Sequence, residues 1–325
     1  MKKIKVDIIS GFLGSGKTTL INQMLKSVYS DMKIAIVENE FGDESIDSDL
    51  FSNELEITEL TNGCVCCSLK MDLVKGINEL YEMNRFDRIV IEPSGVSKLS
   101  DMLYIFSDAS LKDKIEKGIC ITIINPKVHD DFSENFGQFY NDQIENADAL
   151  YISRNDMLSE DEKLDLLVDI KIKNEGQIFE KLPLDILKQK NEPHGCGGCG
   201  GHDHGDSDSG CGCDGKERDG GCGGHESEEK KDCGNGCGHD HNKDEPGADD
   251  TFFSHTLEYE MFDDEREIED TVGRIIKYAT GKVLRIKGFL SAEGQSYLVQ
   301  WAGQELKITP SDIVKNKLIV IEAKK

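Results

Sequence analysis

The sequence predicts an α/β domain with a mostly parallel sheet, then a segment without a packed core, then a small α+β domain. Three observations support this fold class. Short apolar runs alternate with helix-like stretches over residues 1–190, residues 191–250 carry almost no large apolar side chains, and globular patterning resumes at residue 251. We therefore place the domain boundaries at 1–190, 191–250 and 251–325.

The first segment repeats a strand followed by a helix. Strands joined by helical crossovers lie parallel, and their carboxyl ends gather at one edge of the sheet, where ligands of such sheets bind. Loops that follow strands are therefore the first candidates for a functional site. The predicted strands are 4–9, 33–38, 56–60, 88–92, 119–124 and 149–153, and the predicted helices are 17–28, 72–82, 97–107, 132–145 and 161–173.

Overall charge and hydropathy exclude several classes of protein. The 325 residues carry a net charge of −25, whereas a non-specific nucleic-acid binder needs a basic face. No run approaches the roughly 18 to 20 apolar residues of a membrane-spanning helix. Residues 1–9 begin with lysines and continue with apolar residues, but a glycine-rich loop follows at once, which is typical of a first strand and not of a signal peptide. We expect a cytoplasmic protein without nucleic-acid or membrane partners.

The middle segment, which we call the insert, has the composition of a metal-binding tether. Residues 191–250 contain seven of the eleven cysteines, six of the eight histidines, and 16 acids against 5 bases. Such a chain cannot offset its ordering entropy by burial, so we expect disorder without a ligand. Thiols beside histidines in a reduced compartment favour metal over disulfides. An imperfect repeat supplies the candidate ligands Cys196, Cys199, His202 and His204, and again Cys233, Cys237, His239 and His241.

The last segment has the pattern of a small mixed domain. Residues 252–260 alternate like a strand, residues 263–279 have helical apolar spacing, and the stretches 282–290, 296–302, 305–308 and 318–322 are strand-like. Its patterning does not indicate a role: it could dock a partner, cap a functional site of the first segment, or serve only in packing.

A phosphate-binding loop is the strongest motif in the chain. Residues 11–18, GFLGSGKT, match the G-x-x-x-x-G-K-[ST] pattern and lie between a predicted strand and a predicted helix. Glycines let backbone N–H groups converge on phosphate oxygens, Lys17 would neutralise β- and γ-phosphate charge, and Thr18 would offer its hydroxyl to Mg²⁺. The candidate nucleotide-binding residues are Gly11, Gly14, Ser15, Gly16, Lys17, Thr18 and Thr19.

A carboxylate at the end of a second strand belongs with this loop. The apolar strand 88–92 ends in Glu92, which is suited to orienting Mg²⁺ or its water, and Gly95 can present an N–H to the γ-phosphate. The pattern is informative only together with the phosphate-binding loop, since any strand can end in an acid.

Three closely spaced cysteines predict a second metal site. Cys64, Cys66 and Cys67 lie in a loop after a strand, where three thiolates can converge on one borderline or soft ion such as zinc or Cu(I), with cobalt possible. The alternative is a redox pair or ordinary buried thiols. Cys120, inside an apolar strand, is expected to fill the core.

These motifs together resemble the CobW-like GTPases, a P-loop family proposed to deliver metals. The matching stretches are 11–19 (GFLGSGKTT), 38–42 (ENEFG), 63–67 (GCVCC) and 92–95 (EPSG), in the family's order and spacing, with 284–289 (LRIKGF) similar to its second domain. A histidine-rich insertion between the two domains is also common in that family. The resemblance covers nearly the whole chain apart from details of the insert.

The resemblance implies roles for individual residues. It assigns the phosphate-binding loop to nucleotide and Mg²⁺, and Glu92 to the magnesium shell. Glu38 and Glu40 fall in a switch region, where a carboxylate joins the metal or positions water, so that the candidate catalytic residues are Lys17, Glu40 and Glu92. The cysteine motif is assigned to the transported ion. Residues implicated in metal binding are Thr18, Glu38, Glu92, Cys64, Cys66 and Cys67, besides the insert ligands.

The base-reading motif departs from the family pattern. Where the family has N-K-x-D, this chain has Ser153, Arg154, Asn155 and Asp156. Asp156 keeps the carboxylate that accepts N1–H and N2–H of guanine, and Arg154 can lay its stem and planar head over the purine. GTP stays the favoured nucleotide, with looser base selectivity than in relatives.

The motifs together predict a GTP-hydrolysing metallochaperone. It would use GTP, Mg²⁺ and a transition metal, with zinc as the first candidate, and transfer that metal to a client metalloprotein. Two alternatives remain open at this point. One is a non-catalytic metal buffer with structural nucleotide; the other is an ATP-dependent small-molecule kinase, which leaves the cysteine motif unexplained.

Overall fold

The computed structural model of the chain describes residues 2–38, 56–59, 68–180 and 247–324. Within these ranges the first sheet has seven strands in the order β3-β2-β4-β1-β5-β6-β7, and every neighbouring pair is parallel. This confirms the predicted sheet class. The strands are β1 (Ile4–Gly11), β2 (Ile34–Glu38), β3 (Glu56–Glu59), β4 (Arg88–Glu92), β5 (Ile115–Ile124), β6 (Ala149–Ile152) and β7 (Gln177–Phe179).

Helices cover both faces of this sheet, as crossover connections require. Val6 and Ile8 of β1 belong to one apolar cluster with Leu73 and Ile77, while Ile9 belongs to another with Leu20. β1 is therefore buried on both sides, as expected for a central strand of a parallel sheet. The helices are α1 (Lys17–Leu25), α2 (Ser68–Glu82), α3 (Leu99–Leu103), α4 (His129–Asn135), α5 (Gly137–Glu145) and α6 (Glu160–Lys173).

The six predicted strands and five predicted helices of this segment are present, with two differences. The helix expected over 132–145 is two helices separated at Phe136, whose backbone leaves helical geometry at φ −132° and ψ 26°. The buried ring of Phe136 stacks on Phe12 with centroids 5.9 Å apart. The short strand β7 has no counterpart among the predictions, because three residues are too few to show an alternation.

A buried ion pair ties the central strands together. Asp7 on β1 accepts hydrogen bonds at 2.6 and 2.8 Å from the guanidinium of Arg88 on β4, and at 2.8 Å from the backbone N–H of Ile119 on β5. Tyr29 donates its hydroxyl to the same carboxylate. Because burial and the adjacent Asp7 charge both disfavour ionisation, the pKa of Tyr29 is well above its usual value.

The second sheet is antiparallel and forms with one long helix the predicted α+β unit. Its order among the described residues is β11-β10-β9-β12-β8. A helical turn, α7 (Ala248–Thr251), precedes the first strand, so ordered structure begins before residue 251; the insert boundaries themselves remain predictions. The other elements are β8 (Phe252–Glu258), α8 (Glu265–Tyr278), β9 (Lys282–Ala292), β10 (Gln295–Ala302), β11 (Glu305–Ser311) and β12 (Lys317–Ala323).

Aromatic side chains join the two sheets beside the phosphate-binding loop. Phe12, the second residue of that loop, has its ring centroid 4.8 Å from Phe132, 5.7 Å from Tyr140 and 6.2 Å from Phe252, the first residue of β8. Phe139 also contacts Phe252, at 5.2 Å. Burial of Phe12 in this cluster anchors the loop to both parts of the chain. In the described part of the chain, none of the helices has the length and apolar character needed to cross a membrane.

Candidate functional site

The candidate site lies at the carboxyl edge of the parallel sheet. β4, β1, β5 and β6 are neighbours and run parallel, so Glu92, the phosphate-binding loop and the loop after β6 emerge on the same side. Glu38 on β2 lies in register with Glu92 on β4 and with Glu59 on β3, which places three acidic positions at adjacent strand ends.

The phosphate-binding loop connects β1 directly to α1. Gly16 occupies the N-cap position of α1 with φ 108°, a left-handed conformation that L-residues rarely adopt. The side chain of Lys17 is 7% exposed and donates to the carbonyl of Gly11 at 3.0 Å, folding back over the loop. The buried hydroxyl oxygen of Ser15 has no hydrogen-bond partner among the described residues. A polar atom in that position fits a phosphate oxygen.

The predicted magnesium ligands are in contact. The Thr18 hydroxyl donates to Oε1 of Glu92 at 3.0 Å, and Glu92 is 6% exposed. A hydroxyl and a carboxylate are the hard oxygen donors that Mg²⁺ prefers, so the residues present fit this ion. Glu38, also buried, completes the acidic edge through its strand pairing with Glu92.

Gly95 lies against the phosphate-binding loop. A Cβ on this residue would be 2.7 Å from Cδ2 and 2.8 Å from the backbone nitrogen of Leu13. The Gly95 carbonyl accepts a hydrogen bond at 3.1 Å from the side-chain amide of Gln143, which also bonds the Ser97 carbonyl at 2.7 Å. Only glycine therefore fits this close approach between the loop after β4 and the phosphate-binding loop.

The four-residue base-reading stretch follows β6 directly. The Ser153 hydroxyl donates at 3.0 Å to the carbonyl of Ile124, so this residue braces the loop against β5. Arg154 has a left-handed backbone at φ 55°, and its guanidinium approaches the Gly14 carbonyl at 3.5 Å. Asn155 donates to Glu180 at 3.1 Å, and Asp156 is exposed. The arrangement brings Arg154 to the phosphate-binding loop and leaves the Asp156 carboxylate accessible.

The second sheet forms one wall of a cavity that lies above the phosphate-binding loop. The phosphate-binding loop, α1 and β4 contribute Gly14, Gly16, Lys17, Thr18, Thr19 and Glu92 to the lining, and Arg154 joins them. From the second sheet it includes Arg285, Lys287, Gln300, Glu305 and Lys307. The ionisable lining residues are five cations and two carboxylates, a local charge of +3 in a chain whose total is −25. A concave, locally positive cavity is suited to a polyanion.

The cationic residues of the second sheet were not predicted as site residues. Arg285 and Lys287 occupy alternate positions of β9, and side chains two apart in a strand point to the same face. The R-x-K spacing was therefore the available signal, but nothing local shows which surface that face meets.

Cys120 fills the core as predicted. It is buried in β5, and burial raises the pKa of its thiol to about 12. Other predicted residues lie outside the described residues, so their placement stays a prediction. They are Glu40, Cys64, Cys66, Cys67, Cys196, Cys199, His202, His204, Cys233, Cys237, His239 and His241. Within residues 2–38, 56–59, 68–180 and 247–324, no group of three or more His, Cys, Asp or Glu side chains has a metal-binding arrangement.

Two relatives whose names describe an activity each match half of this chain or less. Zinc-regulated GTPase metalloprotein activator 1 of Dictyostelium discoideum is 35% identical over 144 residues, 38% of this chain and 30% of the relative. Zinc chaperone YjiA of Escherichia coli is 34% identical over 171 residues, 50% of this chain and 53% of the relative. The chain thus spans about half or less of the length of these two relatives.

One solved structure can be aligned with the full length of this chain. The Zn(II)-bound YjiA GTPase from E. coli covers 100% of this chain and 95% of its own, with 20% identity and a TM-score of 0.44. The sequence profile of the CobW/HypB/UreG nucleotide-binding domain matches residues 5–179, more than half of the chain. That range contains the phosphate-binding loop, Glu92 and the base-reading stretch. The chain belongs to the CobW/HypB/UreG family.

Proposed function

We propose that this protein is a GTP-hydrolysing metallochaperone that binds a transition metal, zinc in the first place, and delivers it to a client metalloprotein. The observation that carries the proposal is the contact between Thr18 and Glu92 beside Lys17, under a cavity of net positive charge. One relative named as a zinc-regulated GTPase metalloprotein activator and another named as a zinc chaperone support the choice of zinc and GTP.

The nucleotide part of the mechanism uses described residues, together with Glu40, which lies outside them. Backbone N–H groups of the phosphate-binding loop and Lys17 bind the β- and γ-phosphates and offset the charge that develops during transfer to water. Thr18 and Glu92 would hold Mg²⁺, which supplies further charge neutralisation on the same phosphates. Asp156 selects guanine by accepting its N1–H and N2–H, and Arg154 covers the purine face. Glu40 positions the attacking water.

The metal part of the proposal uses the cysteine motif. Cys64, Cys66 and Cys67 bind the transported ion as thiolates, and Mg·GTP binding orders the loop that carries them. Hydrolysis removes the γ-phosphate contacts and lowers the metal affinity, so that the ion passes to the client. Linkage requires reciprocity: metal tightens nucleotide binding by the same factor by which nucleotide tightens metal binding.

The insert is proposed as a metal reservoir. Its paired cysteines and histidines form sites that are weaker than the compact cysteine motif, because ligands spread along a longer stretch of sequence lose more entropy when they converge on one ion. Tethering keeps the released ion at a millimolar-scale effective concentration near the main site. Deleting residues 193–246 should lower the number of zinc ions bound per chain while leaving the nucleotide-dependent site; unchanged stoichiometry contradicts the reservoir.

Phosphate release with GTP and with ATP, each with and without zinc, tests the catalytic assignment. We expect turnover to favour GTP and to be lost in Lys17→Ala, because the lysine contacts the transferred phosphoryl group. Lys26→Ala is a matched control, since Lys26 is an exposed cation at the end of the same helix. Faster ATP turnover contradicts the base assignment, and turnover equal to background favours a metal buffer with structural nucleotide.

Zinc titration in the presence of GDP or a non-hydrolysable GTP analogue tests the coupling. We expect tighter zinc binding with the triphosphate analogue, and loss of this difference when Cys64, Cys66 and Cys67 are changed to serine. Cys120→Ala is the control, because that thiol is buried in β5. Equal zinc affinities in the two nucleotide states contradict coupling.

A further inference from the structure

One face of the second sheet carries a polar row made by strand pairing. Lys287 of β9 lies opposite Gln300 of β10, and Gln300 lies opposite Lys307 of β11. One step along, Arg285 lies opposite Ala302, which lies opposite Glu305. Residues opposite one another on neighbouring strands share a face. Two cations of β9 and one of β11 therefore lie on the same face of the sheet, with β10 between the two strands.

The other face of this sheet is occupied by α8. Ile286 and Leu290, which alternate with the cations along β9, pack with Ile268 and Val272 of the helix. Ile321, paired with Arg285 across β9 and β12, belongs to the apolar cluster that contains Phe12 of the phosphate-binding loop. The polar row therefore lies on the face of the second sheet that is directed toward the phosphate-binding loop.

The contacts of this row place it over the phosphate-binding loop. Arg285, Lys287, Gln300 and Lys307 line the same cavity as Lys17 and Thr18. Nε of Arg154 is 3.4 Å from Oε2 of Glu305, which joins the base-reading stretch to β11. Charged residues from two parts of the chain that are far apart in sequence therefore line the same cavity.

The net positive charge of the cavity is the strongest indication of an anionic ligand. Lys287, which contributes to that charge, is only 4% exposed. The cavity still has a charge of +3 after Glu92 and Glu305 are counted. A nucleoside polyphosphate bound at Lys17 would bring several negative charges within reach of this row.

We propose that Arg285 and Lys287, assisted by Gln300, bind the polyphosphate of the nucleotide from the second sheet. The inference rests on the proposed nucleotide-binding function and assigns to the C-terminal domain a direct part in it. The nucleotide is then held between the two sheets, and its phosphates stabilise the contact between the two sheets. Hydrolysis and phosphate release weaken that contact, which links nucleotide state to the position of the C-terminal sheet.

Nucleotide affinity in the full-length protein tests this assignment. The Kd of a fluorescent non-hydrolysable GTP analogue is measured for wild type, Arg285→Gln, Lys287→Gln and Lys277→Gln. Loss of a charge-assisted contact to phosphate should raise the Kd about tenfold or more for the first two variants. Lys277→Gln is the matched control, because this exposed lysine lies on α8, at the opposite face of the same sheet, and its Kd should not change.

Salt dependence separates ligand binding from a structural role. Each cation that neutralises phosphate adds to the rise of Kd with KCl, so Arg285→Gln and Lys287→Gln should reduce that slope, whereas loss of stability alone would leave it unchanged. Backbone amides of β9 and β10 should also exchange more slowly with the analogue bound in wild type, and this protection should disappear in the variants.

The outcomes distinguish this inference from the function on which it depends. If wild type fails to bind the analogue, the proposed function itself is wrong. If wild type binds and folded Arg285→Gln and Lys287→Gln proteins bind with the same Kd and salt slope, the assignment of the polar row is overturned. Should Lys287→Gln not fold, Arg285→Gln combined with Lys307→Gln decides the question, because Lys307 is an exposed cation that lines the same cavity.

Discussion

The contact between the phosphate-binding loop and the second sheet can be tested at Gly14. This residue has φ 70°, and a Cβ built on it would lie 2.2 Å from Cβ of Ala302 at the end of β10. Two carbons at optimal separation are about 3.5–4.0 Å apart, so Gly14→Ala requires the loop and the strand to separate by more than about 1 Å.

Two costs contribute to the effect of Gly14→Ala. A left-handed conformation costs an L-residue about 1–2 kcal/mol, and overpacking costs about 1–3 kcal/mol. Replacing Ala302 by glycine removes the second cost, because the next nearest atom is Cα of Ala302 at 3.5 Å, an ordinary contact distance. Ala302→Gly alone should destabilise by about 0.5–1 kcal/mol, since glycine in a strand loses more entropy on folding.

Urea unfolding without nucleotide measures the four members of this double-mutant cycle. We expect the double variant to be more stable than the sum of the single effects by about 1–3 kcal/mol, which is the overpacking cost. Additivity within about 0.5 kcal/mol would refute the reasoning, because it would mean that Gly14 and Ala302 are not in contact. The same result would weaken the case for the second sheet as a wall of the nucleotide cavity.

Three further predictions concern the core of the first domain. Arg88→Met should lower the free energy of unfolding by about 3–5 kcal/mol, because it leaves the buried carboxylate of Asp7 without its cation. Burial lowers the pKa of His129, although a 2.7 Å hydrogen bond to Asp169 opposes this shift. The folded state therefore binds a proton less readily than the unfolded state, so the stability contributed by neutral His129 is present above about pH 6.5 and is lost as the pH falls below it. The free energies of unfolding of wild type and His129→Gln should therefore approach each other as the pH is lowered from 7.5 to 5. Cys120, whose thiol pKa is raised by burial to about 12, should resist iodoacetamide at pH 8 in the native protein and react after unfolding in urea.

Each of these predictions has a contradicting result. If Arg88→Met lowers the free energy of unfolding by less than about 1 kcal/mol, the pair between Asp7 and Arg88 contributes no more than an exposed ion pair does. A difference between wild type and His129→Gln that does not change with pH would show that His129 is not buried in its neutral form. Alkylation of Cys120 at the rate of an exposed thiol would show that β5 opens readily.

Local motifs were enough to predict much of the fold and part of the site. The GFLGSGKT loop between an apolar strand and a helix is a local pattern, and the structure has that order, with Thr18 in contact with Glu92. The division of residues 132–145 at Phe136 was not predictable, because it depends on packing against Phe12 from a distant part of the chain. Helical periodicity carries no information about such contacts.

The second sheet shows the same limit more clearly. Alternation along 282–290 was sufficient to identify a strand and to place Arg285 and Lys287 on one face. The meeting of that face with the phosphate-binding loop depends on register across β9, β10 and β11, and on apolar contacts such as Phe252 with Phe12. The apolar contact between Phe12 and Phe252 joins residues that are more than two hundred positions apart in the sequence.

The sequence by itself was enough to predict the fold class, the family and a set of candidate phosphate-binding residues, because each depends on short patterns of glycine, charge and apolar spacing. The tertiary structure alone decided that Glu38, Glu59 and Glu92 share one edge, and that cations of the second sheet line the cavity above the phosphate-binding loop. The physical reason is that strand order, register and burial arise from free energies summed over the whole core, whereas a motif records only what neighbouring residues require.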